Sequence, residues 1–294
     1  MSAIRDDVFD RCKGALFGLI VGDALGVPLA GLMRDSRPKV VNMVGGGIYD
    51  LAPGQWTGST SQALALASAL IENGKFDPNS IMKEFVAWYQ HGKFSSLMEA
   101  FDVNPSLRES LNSFIETRMY FPNITSTDAI TIARLAPVVI AYRDRPADAA
   151  MYAKRQSDLT HGNVIPGEIC ARLALGMREA IMGQGKDRTL AMFDMFAAKI
   201  GRWRGIERGR IKSWSQSVDA IKAALWSVDN SNSFEEAVVL AVNLAVDSSI
   251  IGAITGQLAG SIYGFNAIPM RWRVALQEPE LLSDTMHGLW EFNS

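Results

Sequence analysis

Hydroxyl and carboxylate oxygens gather at two places far apart in this chain, Gly54-Gln55-Trp56-Thr57-Gly58-Ser59-Thr60 and Asp247-Ser248-Ser249-Ile250-Ile251-Gly252. Oxygen donors suit hard cations such as Mg²⁺, which also need several negative charges and give up their water shells reluctantly. Asp247 is the single carboxylate in the two stretches, and neutral hydroxyls offer no charge against a dication. One Asp with hydroxyls therefore supports at most one weakly bound Mg²⁺, and a binuclear centre is not expected. Asp23 lies inside a long apolar stretch and reads either as a buried hydrogen-bonded acid or as a catalytic carboxylate. His161, following Ser157 to Thr160, reads either as a helix-terminus residue or as a functional imidazole. Trp56, Trp88, Tyr89 and Trp272 could stack on an adenine, although aromatic side chains at helical spacing more often fill a core.

The elements that must position these residues are helical. Val8, Cys12, Ala15, Leu16, Leu19 and Ile20 share one face, and Ile81, Phe85, Val86 and Trp88 to Tyr89 form a second stripe. The same periodicity predicts helices near residues 128–142, 147–157, 166–182, 190–200, 217–226, 234–245 and 250–263, with breaks at Gly and Pro clusters. Alternating strands are scarce, since Lys39 to Met43 is too short to found a sheet, so the expected class is all-α. Neither a Pro- or Ser-rich linker nor a fixed-period repeat divides the chain, and 1–294 is expected to form a single domain.

Two glycine rows stand out, Gly14, Gly18, Gly22, Gly26 and Gly252, Gly256, Gly260, Gly264. A spacing of four puts them on one helix face, where a second backbone can come close. Each Gly costs about 1 kcal/mol against Ala inside a helix, so two such rows need a compensating contact. The loops at the ends of these helices should then lie at the middle of the molecule.

Composition narrows the partners. The 29 basic and 31 acidic residues give a net charge of −2 without long blocks of either sign, so neither nucleic acid nor an anionic membrane is an expected partner. The locally basic run Arg202 to Lys212 reads as a solvated loop or as a contact for a phosphate or acidic partner. Cys12 and Cys170 sit in apolar helical patterns and read as buried thiols of a reducing compartment. The stretch from Gly14 to Met33 approaches membrane-spanning length, but Asp23 and Pro28 favour a buried soluble helix. No basic segment followed by an apolar one opens the sequence, so cytoplasmic residence is the expectation.

Five ordered segments together resemble the ADP-ribosylglycohydrolase family: Gly14 to Gly26; Gly54 to Thr57 followed by Ala63 to Ala67; Arg134-Leu135-Ala136-Pro137; Leu159-Thr160-His161; and Gly252 to Gly260 with Ile268-Pro269 and Trp272. The resemblance covers nearly the whole chain. It implies an orthogonal helical bundle with a central cleft, in which two Mg²⁺ and nearby carboxylates position ADP-ribose while water attacks its C1 carbon. On that pattern Thr57 and Asp247 match metal ligands, and Asp23 and Asp247 are the catalytic candidates. His161, Trp56, Ser59 and Arg134 are the expected ligand-binding residues.

The family's acids are missing elsewhere. Its Thr-Asp-Asp-Thr reads Thr57-Gly58-Ser59-Thr60, its Asp-x-Asp-Thr reads Asp247-Ser248-Ser249-Ile250, and Leu29 stands where an acid is expected. The glycine-rich loop that lies against ADP-ribose aligns with Thr127 to Thr131, where a backbone without glycines approaches a phosphate less closely. Two functions follow as expectations. One is a pseudoenzyme with a vestigial metal site that binds a protein or an ADP-ribose-like ligand; the other is a surviving hydrolase using one metal or an altered mechanism. A purely structural or oligomeric role is a third reading, and the oligomeric state is left open.

Overall fold

The computed structural model describes residues 2–292. Its helices are α1 (Ser2–Gly26), α2 (Gly58–Asn73), α3 (Pro78–His91), α4 (Pro105–Thr117), α5 (Ile130–Ala133), α6 (Ala136–Ala141), α7 (Pro146–Asp158), α8 (Val164–Ile181), α9 (Gly185–Asp194), α10 (Ala197–Ile200), α11 (Ser217–Asp229), α12 (Phe234–Val242), α13 (Ser248–Tyr263), α14 (Met270–Arg273) and α15 (Pro279–Glu291). Extended pairing among the described residues is confined to isolated bridges, such as Ala30 with Val246. The fold is all-α, as the periodicity predicts.

The glycine rows meet each other. A methyl group built on Gly14, Gly18, Gly22 or Gly26 of α1 would overlap the backbone of Gly260, Gly256, Gly252 or Ser248 of α13, and the converse holds from α13. The pairing runs in opposite directions along the two helices, so they are antiparallel. Backbones this close exchange dispersion contacts and weak Cα–H···O interactions that side chains would forbid. A continuous apolar core from Cys12 to Phe292 packs around this pair.

α1 is long and apolar enough to cross a membrane, but 89 % of its apolar window is buried inside the protein. The environment that stabilises it is thus other helices, as expected of a core helix. Two expected helices are broken. Residues 128–142 divide into α5 and α6, with Pro137 in the first turn of α6, where its missing N–H is tolerated. Residues 190–200 divide at Met195 and Phe196 between α9 and α10.

The close pair sets the position of the site. Gly26 at the C-terminal end of α1 lies against Ser248, whose hydroxyl donates to the Gly26 carbonyl at 2.7 Å. Asp23, one turn from the end of α1, and Asp247, the residue before α13, therefore lie at the same end of the bundle.

Candidate functional site

Asp23 is fully buried and accepts four hydrogen bonds. Thr57 Oγ1 donates to Oδ1 at 2.7 Å, while Thr57 N, Thr60 N and Thr60 Oγ1 donate to Oδ2 at 3.1, 3.0 and 2.7 Å. Thr57 is also the N-cap of α2, so the acid of α1 is bound to a helix N-terminus, where a negative charge is favoured. Burial nonetheless pushes the Asp23 carboxyl up to about 6, against these donors.

Asp247 opens α13 without capping it through its side chain. Its Oδ2 instead accepts from Ser215 N at 2.6 Å, and its own N–H donates to Ser213 O at 3.1 Å. Burial raises its carboxyl from the ordinary range, with the Ser215 donors opposing. The preceding Ala245 and Val246 have φ of 59° and 62°, the left-handed region that a β-branched residue rarely adopts. Val246 is held there by Gly31 N donating to its carbonyl at 2.7 Å and by its own N–H donating to Leu32 O at 3.0 Å. That arrangement imposes backbone strain beside a carboxylate.

Two further acids complete the cluster, and sequence reasoning did not assign them a role. Asp102 lies in the loop before α4, with Tyr49 Oη donating to it at 3.3 Å. Burial lifts its carboxyl to about 7, and the charge of Asp23 adds to the rise. Asp128 caps the turn into α5 through Ile130 N at 2.8 Å; burial lifts it to about 6, with the nearby charge of Asp247 contributing. The 127–129 segment is tied to 215–217 by Ala129 N to Ser215 O at 2.7 Å and Ser217 N to Thr127 O at 2.6 Å. Ser215 is thereby placed between Asp128 and Asp247.

Thr57, Asp102, Asp247, Ser249 and Tyr49 line one cavity of about 170 Å³. Ligand sites for whole drug-sized molecules run from about 300 Å³ upward, so this cavity takes one end of a nucleotide-sized ligand rather than all of it. Ser59 Oγ and Ser249 Oγ are buried hydroxyls with no hydrogen-bond partner among the described residues. Both stand where the resemblance expects carboxylates.

The remaining expected residues divide. His161 is buried, with Nδ1 2.9 Å from Thr160 Oγ1 and Nε2 without a partner. Burial and the neighbouring Arg134 lower its imidazole to about 3, so it is neutral at physiological pH. Arg134 is fully buried, with no carboxylate bound to it among the described residues: Nε and Nη2 donate to Gln156 Oε1 and O at 2.8 and 2.9 Å, Nη1 to Gln62 Oε1 at 2.7 Å, and Nη2 also to Thr160 Oγ1 at 2.9 Å. Its guanidinium stacks 4.4 Å from the Phe85 ring centre. Trp56 is fully buried and donates Nε1–H to Phe94 O at 3.0 Å. Of the expected ligand-binding residues, Arg134 and Trp56 are thus both buried, one in a polar network and the other in the core. Trp88 and Trp272 are buried too, in keeping with the core reading of the aromatic residues. Cys12 and Cys170 are buried, and burial pushes both thiols up to about 12.

Could these residues hold two dications? Both Asp23 oxygens are occupied by Thr57 and Thr60, and one Asp247 oxygen by Ser215. Among the described residues no group of three or more His, Cys, Asp or Glu side chains is arranged to hold a metal ion. With hydroxyls at 59 and 249, Asp102 and Asp247 are the carboxylates beside Thr57 in the cavity, and any cation there would draw its charge from them.

Comparison with known proteins agrees with the fold. The sequence profile described as ADP-ribosylglycohydrolase matches residues 4–292. An ADP-ribosylarginine hydrolase of Pseudomonas putida is 37% identical over 278 residues, covering 91% of this chain and 74% of that protein. The ADP-ribosyl-[dinitrogen reductase] glycohydrolase of Rhodospirillum rubrum is 28% identical, over 90% of each chain. A solved structure titled as an ADP-ribosylglycohydrolase-related protein complex superposes with a TM-score of 0.87 at 34% identity, covering 98% of this chain and 100% of that one.

Proposed function

This chain belongs to the ADP-ribosylglycohydrolase family, and we propose that it binds an ADP-ribose-like group, free or attached to a protein, without two-metal hydrolysis. The observation that carries this reading is Ser249 Oγ, a buried hydroxyl without a partner on the wall of the cavity, with Ser59 at the other position where the resemblance expects a carboxylate. A hydroxyl can donate to a sugar or phosphate oxygen, but it cannot neutralise a dication. The cavity would take the sugar end of the ligand, with Thr57 and Ser249 supplying hydrogen-bonding groups and Asp102 and Asp247 accepting from ribose hydroxyls. On this reading the protein is a cytoplasmic pseudoenzyme.

The deciding experiment pairs calorimetric titration with ADP-ribose and incubation with ADP-ribosyl-arginine and ADP-ribosyl-serine substrates, with and without Mg²⁺ or Mn²⁺. Binding without metal-stimulated release is the expected result. Clear release that depends on the metal rejects the proposal.

One observation favours a hydrolase with an altered mechanism. Asp102 and Asp128 are held at about 7 and about 6, where a carboxyl can exchange a proton near neutral pH. On that second reading they and Asp247 are the acid-base candidates, and metal-independent release of ADP-ribose that Asp102→Asn abolishes would establish it.

A separate expectation concerns ions. With the donor set described above, excess Mg²⁺ and excess EDTA should give the same melting temperature, because only binding to the native state raises it. A metal-induced rise of several degrees would reinstate a cation at Thr57 and Asp247.

A further inference from the structure

The cavity does not end at its own walls. It shares Ala30 and Ile48 with a neighbouring depression of about 400 Å³, which shares Leu29 and Arg37 with another of about 350 Å³. That one in turn shares Lys39, Val239 and Leu240 with a depression of about 540 Å³. The shared residues set these depressions side by side in a row, here called the furrow, from the carboxylate cluster along residues 28–41 to the start of α12.

The furrow is preformed. Asn243 at its floor accepts from Val40 N at 2.8 Å and donates to Val40 O at 2.7 Å, fixing the extended Pro38 to Val41 segment as a wall. Arg34 ties the same loop to the far side through Arg208 O at 2.6 Å and Leu244 O at 3.2 Å. A rigid wall reduces the ordering cost of binding.

Its charge follows a pattern. In the middle, Arg37 and Lys39 are exposed and make no hydrogen bond or ion pair among the described residues. The acid beside them, Asp35, is taken by a bidentate pair with Arg208 at 2.8 and 2.7 Å. One end carries Asp102 and Asp247, while at the other Glu235 is paired with Arg271 and Glu236 accepts from Asn232 N at 2.7 Å. Apolar contacts alternate with the charges: Leu29, Ile48, Val239 and Leu240 line the walls. A continuous polyphosphate would meet repulsion at the Asp102 and Asp247 end, whereas a peptide can place its acids only where the cations stand.

Building on the reading of the cavity as an ADP-ribose site, we infer that this furrow docks an extended acidic segment of the protein that carries the modified side chain. The segment would lie with its carboxylates against Arg37 and Lys39 while the modified residue enters the cavity. Such a surface selects the modified protein by the sequence beside the modification, which the cavity alone could not do.

The test uses fluorescence anisotropy with the full chain and a short fluorescein-labelled peptide of alternating Glu and Leu. The same peptide with Lys for Glu and a single-stranded oligothymidylate serve as comparisons. The Glu peptide should bind about tenfold more tightly than the Lys peptide, and added salt should weaken it. Arg37→Glu with Lys39→Glu should remove that preference while leaving the melting temperature and ADP-ribose binding unchanged. Equal binding of the two peptides, an unaffected double variant, or tighter binding of the oligonucleotide through the same side chains would overturn the inference. ADP-ribose binding, measured in parallel, reports on the cavity by itself, so a failure there is distinguishable from a failure of the furrow.

Discussion

Gly256→Ala should destabilise the protein by about 3 kcal/mol, against a helix-propensity gain of about 1 kcal/mol in the opposite direction. The Cβ would overlap the Gly18 carbonyl of α1, and a backbone cannot rotate aside as a side chain can. Relief requires α1 and α13 to separate, which loosens Gly14 against Gly260 and Gly22 against Gly252 as well. For a chain of this size the melting temperature should fall by roughly 6 °C or more. Gly209→Ala is the matched control, because nothing lies within 4 Å of its added methyl. A rise in melting temperature for Gly256→Ala would show that propensity outweighs packing and that the helix contact is looser than described.

The second large effect is an inverted pH profile. Asp23, Asp102 and Asp128 titrate at about 6, 7 and 6 in the fold, above the ordinary carboxyl value of 3.8. Between pH 4 and 7 the folded state thus holds protons there that the unfolded state has lost. Their stabilising contribution is complete below about pH 4 and disappears as the pH rises through 7. His161 works the other way, since its folded value of about 3 lies below the ordinary 6.5, and acidification favours the unfolded chain through it. Three carboxyls outweigh one imidazole, so urea unfolding should show greater stability near pH 5 than at pH 8.

Asp102→Asn isolates the strongest contributor. It should stabilise the protein more at pH 8 than at pH 5, by roughly 2 to 3 kcal/mol, since each of the two pH units from 5 to the folded value of about 7 corresponds to about 1.4 kcal/mol. Asn is also suited to the left-handed backbone there, with φ of 56°. Equal effects at both pH values would show that Asp102 is ionised throughout.

Much of the scaffold was legible. The fourfold glycine spacing foretold a close helix pair and a central site, because only backbone contact compensates two rows of helix-weakening residues. The Thr57 and Asp247 stretches were correctly placed near each other. Helices α4 and α15 escaped periodicity, although Asn104-Pro105 and Glu278-Pro279 mark their starts: Asn104 Oδ1 caps Leu107 N at 2.7 Å, and each Pro occupies the first turn. Asp102 escaped for a different reason. It stands in a loop without period or motif, and its importance comes from proximity to Asp23 across the fold, which local spacing does not encode. Asp128 was visible as an acid but was read through the missing glycines around it. Trp56 and Arg134 carried ligand-like chemistry in the sequence, and the internal partners they find, Phe94, Gln62, Gln156 and Thr160, lie too far along the chain for local spacing to show.

The Arg134, Thr160 and His161 contacts link a charge to a tautomer. Thr160 Oγ1 accepts an N–H from Arg134 Nη2 and keeps one proton and one lone pair for the 2.9 Å contact with His161 Nδ1, so it can serve either neutral form of the ring. With its pKa at about 3, the imidazole is neutral at physiological pH, and Nε2 is its atom with no partner among the described residues. A group that meets Nε2 therefore sets the state of the pair. An acceptor oxygen draws the ring hydrogen onto Nε2 and turns the Thr160 proton toward Nδ1, and a donor does the reverse.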